Sequence, residues 1–274
     1  MNMNVEIDHR ATKATAPELN AGPVVSIVNI GKTYARGNLV ALSDVSFDVG
    51  RGEFIVILGP SGAGKSTLLR CINRLAEPTK GRIYLNGKEI TDRRRELRDA
   101  RRQIGMVFQQ FNLVTRLSVL LNVLSGRLSY RPTWRSFFYS FTREDRAIAL
   151  ECLEMVGLGH KVFQRADTLS GGEQQRVAIA RALAQRPNVI LADEPVASLD
   201  PKIARQVLKY LKEISQRLGI SVICNLHQVD FAREYAERIV GLCQGQKIFD
   251  GPPSELTDDI LNKIYGMRAE ADGD

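Results

Sequence analysis

The sequence predicts an α/β protein, and three observations carry the prediction. Short β-branched or apolar runs recur along the chain, at residues 24–30, 54–58, 104–108, 189–192 and 219–226. Stretches of helical periodicity lie between them, at 117–128, 143–156, 177–184 and 201–218. One strand-length run, Phe54 to Leu58, stops at a glycine-rich loop, and a helix-forming run follows from Thr67 to Ile72. Strands alternating with helices in this way point to a parallel sheet flanked by helices.

Taken in order, residues 1–22 are polar and aperiodic, end at Gly22-Pro23, and are expected to be a disordered tail. Val24 to Ile30 reads as a strand. Leu39 to Val49 reads as a second, alternating at Val45, Phe47 and Val49. Tyr34 stands between them, and ordinary packing would explain one tyrosine there. Glu77 to Gly81 is a turn, and Arg82 to Leu85 is a strand ending in the hairpin pair Asn86-Gly87. The charge run from Arg93 to Arg102 interleaves Glu96 and Asp99 and has no aromatics, which favours a solvated helix over a nucleic-acid patch. Ile104 to Phe108 is a further buried strand, closing on Gln109-Gln110. The segment from Tyr130 to Phe141 is aromatic, basic and broken by Pro132. Two readings of it stay open, a buried loop or an exposed docking surface built on Trp, Tyr and Arg anchors.

The loop itself runs Gly59, Pro60, Ser61, Gly62, Ala63, Gly64, Lys65, Ser66, Thr67. Its spacing, G-x4-G-K-[ST], is that of a phosphate-binding loop. Gly62 and Gly64 let the backbone curl so that N–H groups point at phosphate oxygens. The helix beginning there presents its positive end to the same anion. Lys65 supplies a charge for the terminal phosphates, and the Ser66 hydroxyl can ligand magnesium. The chain is therefore expected to bind a nucleoside triphosphate.

Composition narrows the class. The chain has 274 residues, 44% hydrophobic and 25% charged, enough for one large domain or two small ones. No apolar stretch approaches the roughly 20 residues of a membrane helix, and Met1 to Ala21 has no secretory apolar core. A cytosolic location is expected. Cys71, Cys152, Cys224 and Cys243 have no C-x-x-C spacing, which disfavours a zinc or disulfide framework. A net charge of +7 and a pI near 9.3 suit nucleic acid, an anionic membrane or nucleotide binding alike.

Further groups lie downstream. Leu169 to Arg176 is polar and glycine-rich and opens a helix, with Ser170 as N-cap and Glu173 at capping-box spacing. The N–H groups of Gly171 and Gly172 make a second potential anion site, or simply a helix start. The run through Val189 to Ala192 ends in Asp193 and Glu194. A carboxylate at the end of a strand is where magnesium is held in a protein with a phosphate loop, and Asp193 fits that role. Glu194 could polarise an attacking water. The strand over 219–226 ends at His227; a lone histidine is usually structural, but one at the end of a strand in this sheet faces the same crevice. Arg238 to Leu242 and Lys247 to Gly251 form a hairpin, a short helix follows, and a polar tail begins near Arg268.

These residues, in this order, resemble an ABC-transporter ATPase subunit over Val24 to Tyr265. Gly59–Thr67 is similar to its Walker A loop, and Val189–Glu194 to its Walker B strand. Gln109 falls at the Q-loop glutamine and Tyr34 at the aromatic that stacks on adenine. Leu169–Arg176 matches the signature, with Glu173 in place of the usual glutamine. Ser198-Leu199-Asp200 matches the D-loop and His227 the switch histidine. The Glu194-to-Ser198 wording, Asn225 to Asp230, and Thr133-Trp134-Arg135-Ser136 look like phosphonate-importer ATPase subunits. Val196-Ala197 and Gln228 depart mildly from the common pattern and remove no catalytic group.

The resemblance implies a P-loop NTPase (RecA-like) core with an antiparallel β subdomain and an inserted α-helical signature subdomain. Its expected bounds are an ATPase domain over 23–266, with core and β subdomain at 23–110 and 186–250. The helical subdomain covers about 111–185, a C-terminal helix 253–266, and a polar tail 267–274. It implies ATP and Mg2+ as ligands, with Glu194 as general base and His227 ordering the water at the γ-phosphate. Ser66 and Asp193 hold the metal with Gln109 beside it. The signature lies over a hundred residues from Lys65, so it makes sense as half of a cage completed in another copy, with Ser170, Gly171 and Gly172 acting in trans. Expected partners are a second copy, two transmembrane permease subunits and, indirectly, a periplasmic binding protein. No nucleic acid is expected, and the chain should sit on the cytoplasmic face of the inner membrane. The rival readings are an importer ATPase for another anion or an amino acid, and a soluble ABC ATPase of phosphonate metabolism.

Overall fold

Two sheets arise from the strand runs. The computed structural model describes residues 22–35, 38–130 and 141–266. β1 (Val25–Tyr34) and β2 (Leu39–Val49) pair antiparallel. The chain then passes through β3 (Phe54–Leu58), the phosphate loop and α1 (Lys65–Ile72). β4 (Lys80–Leu85) and β5 (Lys88–Glu89) follow, joined at Asn86 and Gly87, both with φ above zero as a tight hairpin turn requires. β4 returns to β1, so the first sheet has the order β2-β1-β4-β5. α2 (Arg94–Gln103) is the solvated helix expected of the charge run; among its residues only Ala100 is buried.

The second sheet is mostly parallel. It uses β6 (Ile104–Val107), β7 (Val189–Asp193), β8 (Ser221–Leu226), β9 (Arg238–Cys243) and β10 (Gln246–Gly251), in the order β10-β9-β3-β8-β7-β6. Only β10 runs antiparallel, on the edge. Every residue of β3, β7 and β8 is buried, which explains why they read as continuous apolar runs. Alternate side chains serve two cores. Ile55 and Ile57 pack with α1 and the first sheet, while Phe54, Val56 and Leu58 pack with the helices on the other side.

Those helices include α3 (Val119–Leu124), α4 (Arg143–Met155), α5 (Gly171–Leu183) and α6 (Pro201–Leu218). α4 carries a full Thr142–Asp145 capping box, and α6 starts on Asp200 and ends on Gly219. The helical stretch expected over 117–128 is shorter: α3 gives way to a 3-10 turn over Ser125–Tyr130. A Cβ on Gly126 would lie 2.2 Å from the Arg181 carbonyl oxygen, so close packing on α5 fits this tighter turn. α5 begins six residues before Val177, directly after its Ser170 cap. α7 (Val229–Tyr235) was not anticipated, and α8 (Asp258–Tyr265) is the short helix expected after the hairpin. The four cysteines are unpaired. The tails and the aromatic run 131–140 lie outside the described residues.

Candidate active site at the phosphate loop

The parallel strands bring their carboxyl ends to one edge, where ligands bind in open α/β sheets. β3 delivers the phosphate loop, β7 delivers Asp193 and Glu194, and β8 delivers His227. Gly62 and Gly64 adopt φ of 80° and 101°. A Cβ on Gly64 would lie 2.4 Å from the Ala41 carbonyl oxygen, so β2 closes against the loop only because that residue is glycine. Gly64 is also the N-cap of α1. It offers no side-chain cap, and the first turn contains no acidic residue. The first N–H groups of α1 are thus left for an outside acceptor.

A cavity of about 260 Å³ opens over this helix start. Tyr34, Leu39, Val40, Ala41, Ser61 and Gly62 line one part of it, and Gly64, Lys65, Ser66, Thr67 and Glu194 the rest. A larger hollow of about 520 Å³ lies on the first sheet, around Asn29, Thr33, Asp44 and Lys80. Size does not decide between them. The smaller cavity holds an uncapped helix start, the lysine that opens that helix and a carboxylate from the end of β7.

Lys65 is buried, and its ammonium donates to the carbonyl oxygens of Gly59 (2.7 Å) and Pro60 (2.9 Å). Burial pulls its pKa below the ordinary lysine value, while the carboxylates of Glu194 and Asp193 oppose that shift. Its third neighbour is His227 Nδ1 at 3.3 Å. An ammonium has only hydrogens to give, so Nδ1 is the acceptor there. Nε2 then carries the ring hydrogen to Glu194 Oε1, 2.6 Å away. Glu194 itself sits at φ 50°, a sparsely populated conformation for a side chain of this size. Lys65, His227 and Glu194 thus form one polar chain, whose two ends, Lys65 and Glu194, line the cavity.

A second chain begins at Ser66, whose hydroxyl donates to Asp193 Oδ1 at 2.7 Å. The same oxygen accepts from Asn225 Nδ2 at 2.8 Å. Asn225 was not singled out as a site residue. It lies opposite Asp193 in the β7–β8 register, and no local sequence pattern reveals that pairing. The one available signal is an amide within the largely apolar run from Ser221 to Leu226.

Other expected residues are not brought into the cavity. Gln109 stands exposed two residues beyond β6. Ser170, Gly171, Gly172 and Glu173 form the start of α5, and none of them lines the cavity. Ser170 and Glu173 complete both halves of a capping box, and Lys161 Nζ lies 2.6 Å from Glu173 Oε1. The Lys161 bond holds the Glu173 carboxyl below the ordinary range; partial burial opposes it and the Ser170 bonds add to it. Gly172 has a packing reason too, since a Cβ there would lie 2.3 Å from Ile203 Cγ2 of α6.

The ABC transporter family model matches residues 42–197, more than half of the chain. The chain is 51% identical over 249 residues to the phosphonates import ATP-binding protein PhnC of Staphylococcus aureus strain MRSA252, covering 90% of this chain and 96% of that protein. Among solved structures, cbiO1 from Clostridium perfringens, part of the ABC transporter complex cbiONQ, superposes with a TM-score of 0.77 at 29% identity, over 88% of this chain and 94% of that one. The ATP-binding cassette MJ0796, a dimer in a post-hydrolysis state bound to ADP and Pi, gives 0.73 at 39% identity, over 84% and 98%. The chain belongs to the ABC transporter family of ATP-binding cassettes, in the group of the phosphonates import ATP-binding proteins.

Proposed function

We propose that this chain is the ATP-hydrolysing motor subunit of an ABC importer for a phosphonate or a related phosphorus oxyanion. One observation carries the motor reading: Lys65, Ser66, Asp193, Glu194 and His227 meet at the carboxyl ends of three adjacent parallel strands. The choice of cargo rests on the 51% identity to a protein named for phosphonates import.

In this reading the adenine stacks on Tyr34, and the loop from Gly59 to Thr67 wraps the phosphates. The Lys65 ammonium exchanges its bonds to Gly59 and Pro60 for bonds to β- and γ-phosphate oxygens. Glu194 takes the proton of the attacking water as the bond from the γ-phosphorus to the bridging oxygen breaks, and that oxygen leaves with ADP. His227 orients Glu194 and the water. The main effect is positioning and charge stabilisation.

The donor set fits magnesium. The Ser66 hydroxyl and the Asp193 carboxylate supply hard oxygens side by side, within 2.7 Å of each other. That is the pattern of an ion held by one carboxylate, a hydroxyl and substrate phosphates, with Gln109 beside them. When bound, the ion would supply positive charge to offset that of the phosphate oxygens.

Ser170, Gly171, Gly172 and Glu173 act on the nucleotide of a second copy, in a head-to-tail dimer. The helical subdomain over about 111–185 carries them and, with Gln109, meets two transmembrane permease subunits that a periplasmic binding protein supplies. The chain then works at the cytoplasmic face of the inner membrane. Among its described residues no helix is long and apolar enough to cross one.

Glu194→Gln is expected to lose nearly all ATPase activity, and wild-type turnover would sink the catalytic assignment. Deleting the gene should abolish growth on a phosphonate as sole phosphorus source. Unimpaired growth in a strain without a second importer would refute the cargo.

A further inference from the structure

Asn225 has no role in the scheme above, yet it is the residue that touches Asp193 from inside the sheet. It is fully buried at the penultimate position of β8. Its register partners are Ile57 on β3 and Asp193 on β7, so all three project from the same face. The neighbouring side chains on that face, Ile55, Leu191, Ile223 and Val240, are apolar and share one core. The amide therefore interrupts a hydrophobic layer directly behind the carboxylate.

Only half of the amide is satisfied. Nδ2 donates to Asp193 Oδ1, but Oδ1 of Asn225 is buried without a hydrogen-bond partner. Flipping the amide would set its carbonyl oxygen against a carboxylate oxygen, so the present orientation is the sensible one. An orphaned buried acceptor is costly, and an apolar residue of similar shape would avoid that cost. The donor explains why asparagine is there. It occupies Asp193 Oδ1 together with the Ser66 hydroxyl, which fixes the plane of the carboxylate and leaves Oδ2 to point elsewhere. Asn225 is also among the residues around a hollow of about 30 Å³ that Glu194 and His227 line.

We infer that Asn225 is a positioning residue for the metal site: through Nδ2 it holds the Asp193 carboxylate in the rotation that accepts the nucleotide-bound divalent cation. This rests on the reading of Asp193 as a metal ligand, and the test separates the two. In a Glu194→Gln background, which stops turnover, ATP affinity is measured by fluorescent-nucleotide binding in EDTA and in saturating Mg2+. The ratio is the gain the metal confers.

Adding Asn225→Leu should leave the affinity in EDTA unchanged and cut the metal gain about ten-fold, the usual size for losing an outer-shell partner. The melting temperature of the metal-free protein should stay level or rise. Asn225→Val serves as the second apolar replacement, and Asp193→Asn as the control. If Asp193→Asn lowers the gain and both Asn225 variants leave it intact, the inference is overturned and the metal reading stands. If neither position matters, both are overturned. A fall in metal-free melting temperature for both Asn225 variants, or equal loss in EDTA and Mg2+, would make Asn225 a packing residue and overturn the inference.

Discussion

The chain has two glycine-rich helix starts, and they are built in opposite ways. At α1 the cap is Gly64, with no side-chain hydrogen bond and no acid in the first turn. At α5 the cap is Ser170, locked in a reciprocal box with Glu173, and Lys161 clamps that carboxylate from outside. The first start is bare, so its N–H groups and dipole are available to a strong external anion. The second already contains an acid of its own. A start that is partly satisfied at home is a weak anion site by itself and becomes useful when another site delivers most of the binding. In the proposed dimer, one chain carries a gripping half and a completing half.

Lys65→Met should weaken ATP binding about 10- to 100-fold, as expected for losing a charge-assisted bond worth ~1.5–3 kcal/mol. Equilibrium nucleotide binding checks this, and an unchanged affinity would mean that Lys65 belongs to its own loop carbonyls. Gly64→Ala should destabilise the fold by about 1–3 kcal/mol, because a methyl at φ 101° would also meet the Ala41 carbonyl. Denaturant unfolding measures it. Ser170→Ala at the other start should cost only about 1 kcal/mol, the ordinary value of a lost cap.

The smallest effect is in acid. The folded state holds the Glu173 carboxyl below its unfolded pKa. Its contribution to stability is therefore present above the unfolded value and disappears as pH falls through the folded one. Glu173→Gln should melt slightly below wild type near neutrality, and the gap should close on acidification. A gap that widens in acid would contradict the sign.

Much of the first start was legible in the sequence, because everything it needs is local. An apolar run, three glycines with positive φ, a lysine and a hydroxyl all lie within Phe54–Thr67. The capping box at Ser170 was legible for the same reason. Asn225 was not, since its bond to Asp193 depends on two strands 32 residues apart falling into one register. α7 escaped because seven residues give a weak periodic signal, and α3 was overextended because its end is set by contact with α5. Tyr34 could be placed against the loop only by resemblance, since nothing in its own neighbourhood says that β1 ends beside residue 61.

The division of labour between the two starts is tested most directly by sedimentation with saturating ATP. Glu194→Gln should sediment as a dimer when ATP is present and as a monomer when it is absent. Adding Ser170→Arg should abolish that dimer while nucleotide binding to the monomer is retained, because the grip at Lys65 is untouched. A Ser170→Arg variant that still dimerises with ATP would show that the α5 start completes no second site.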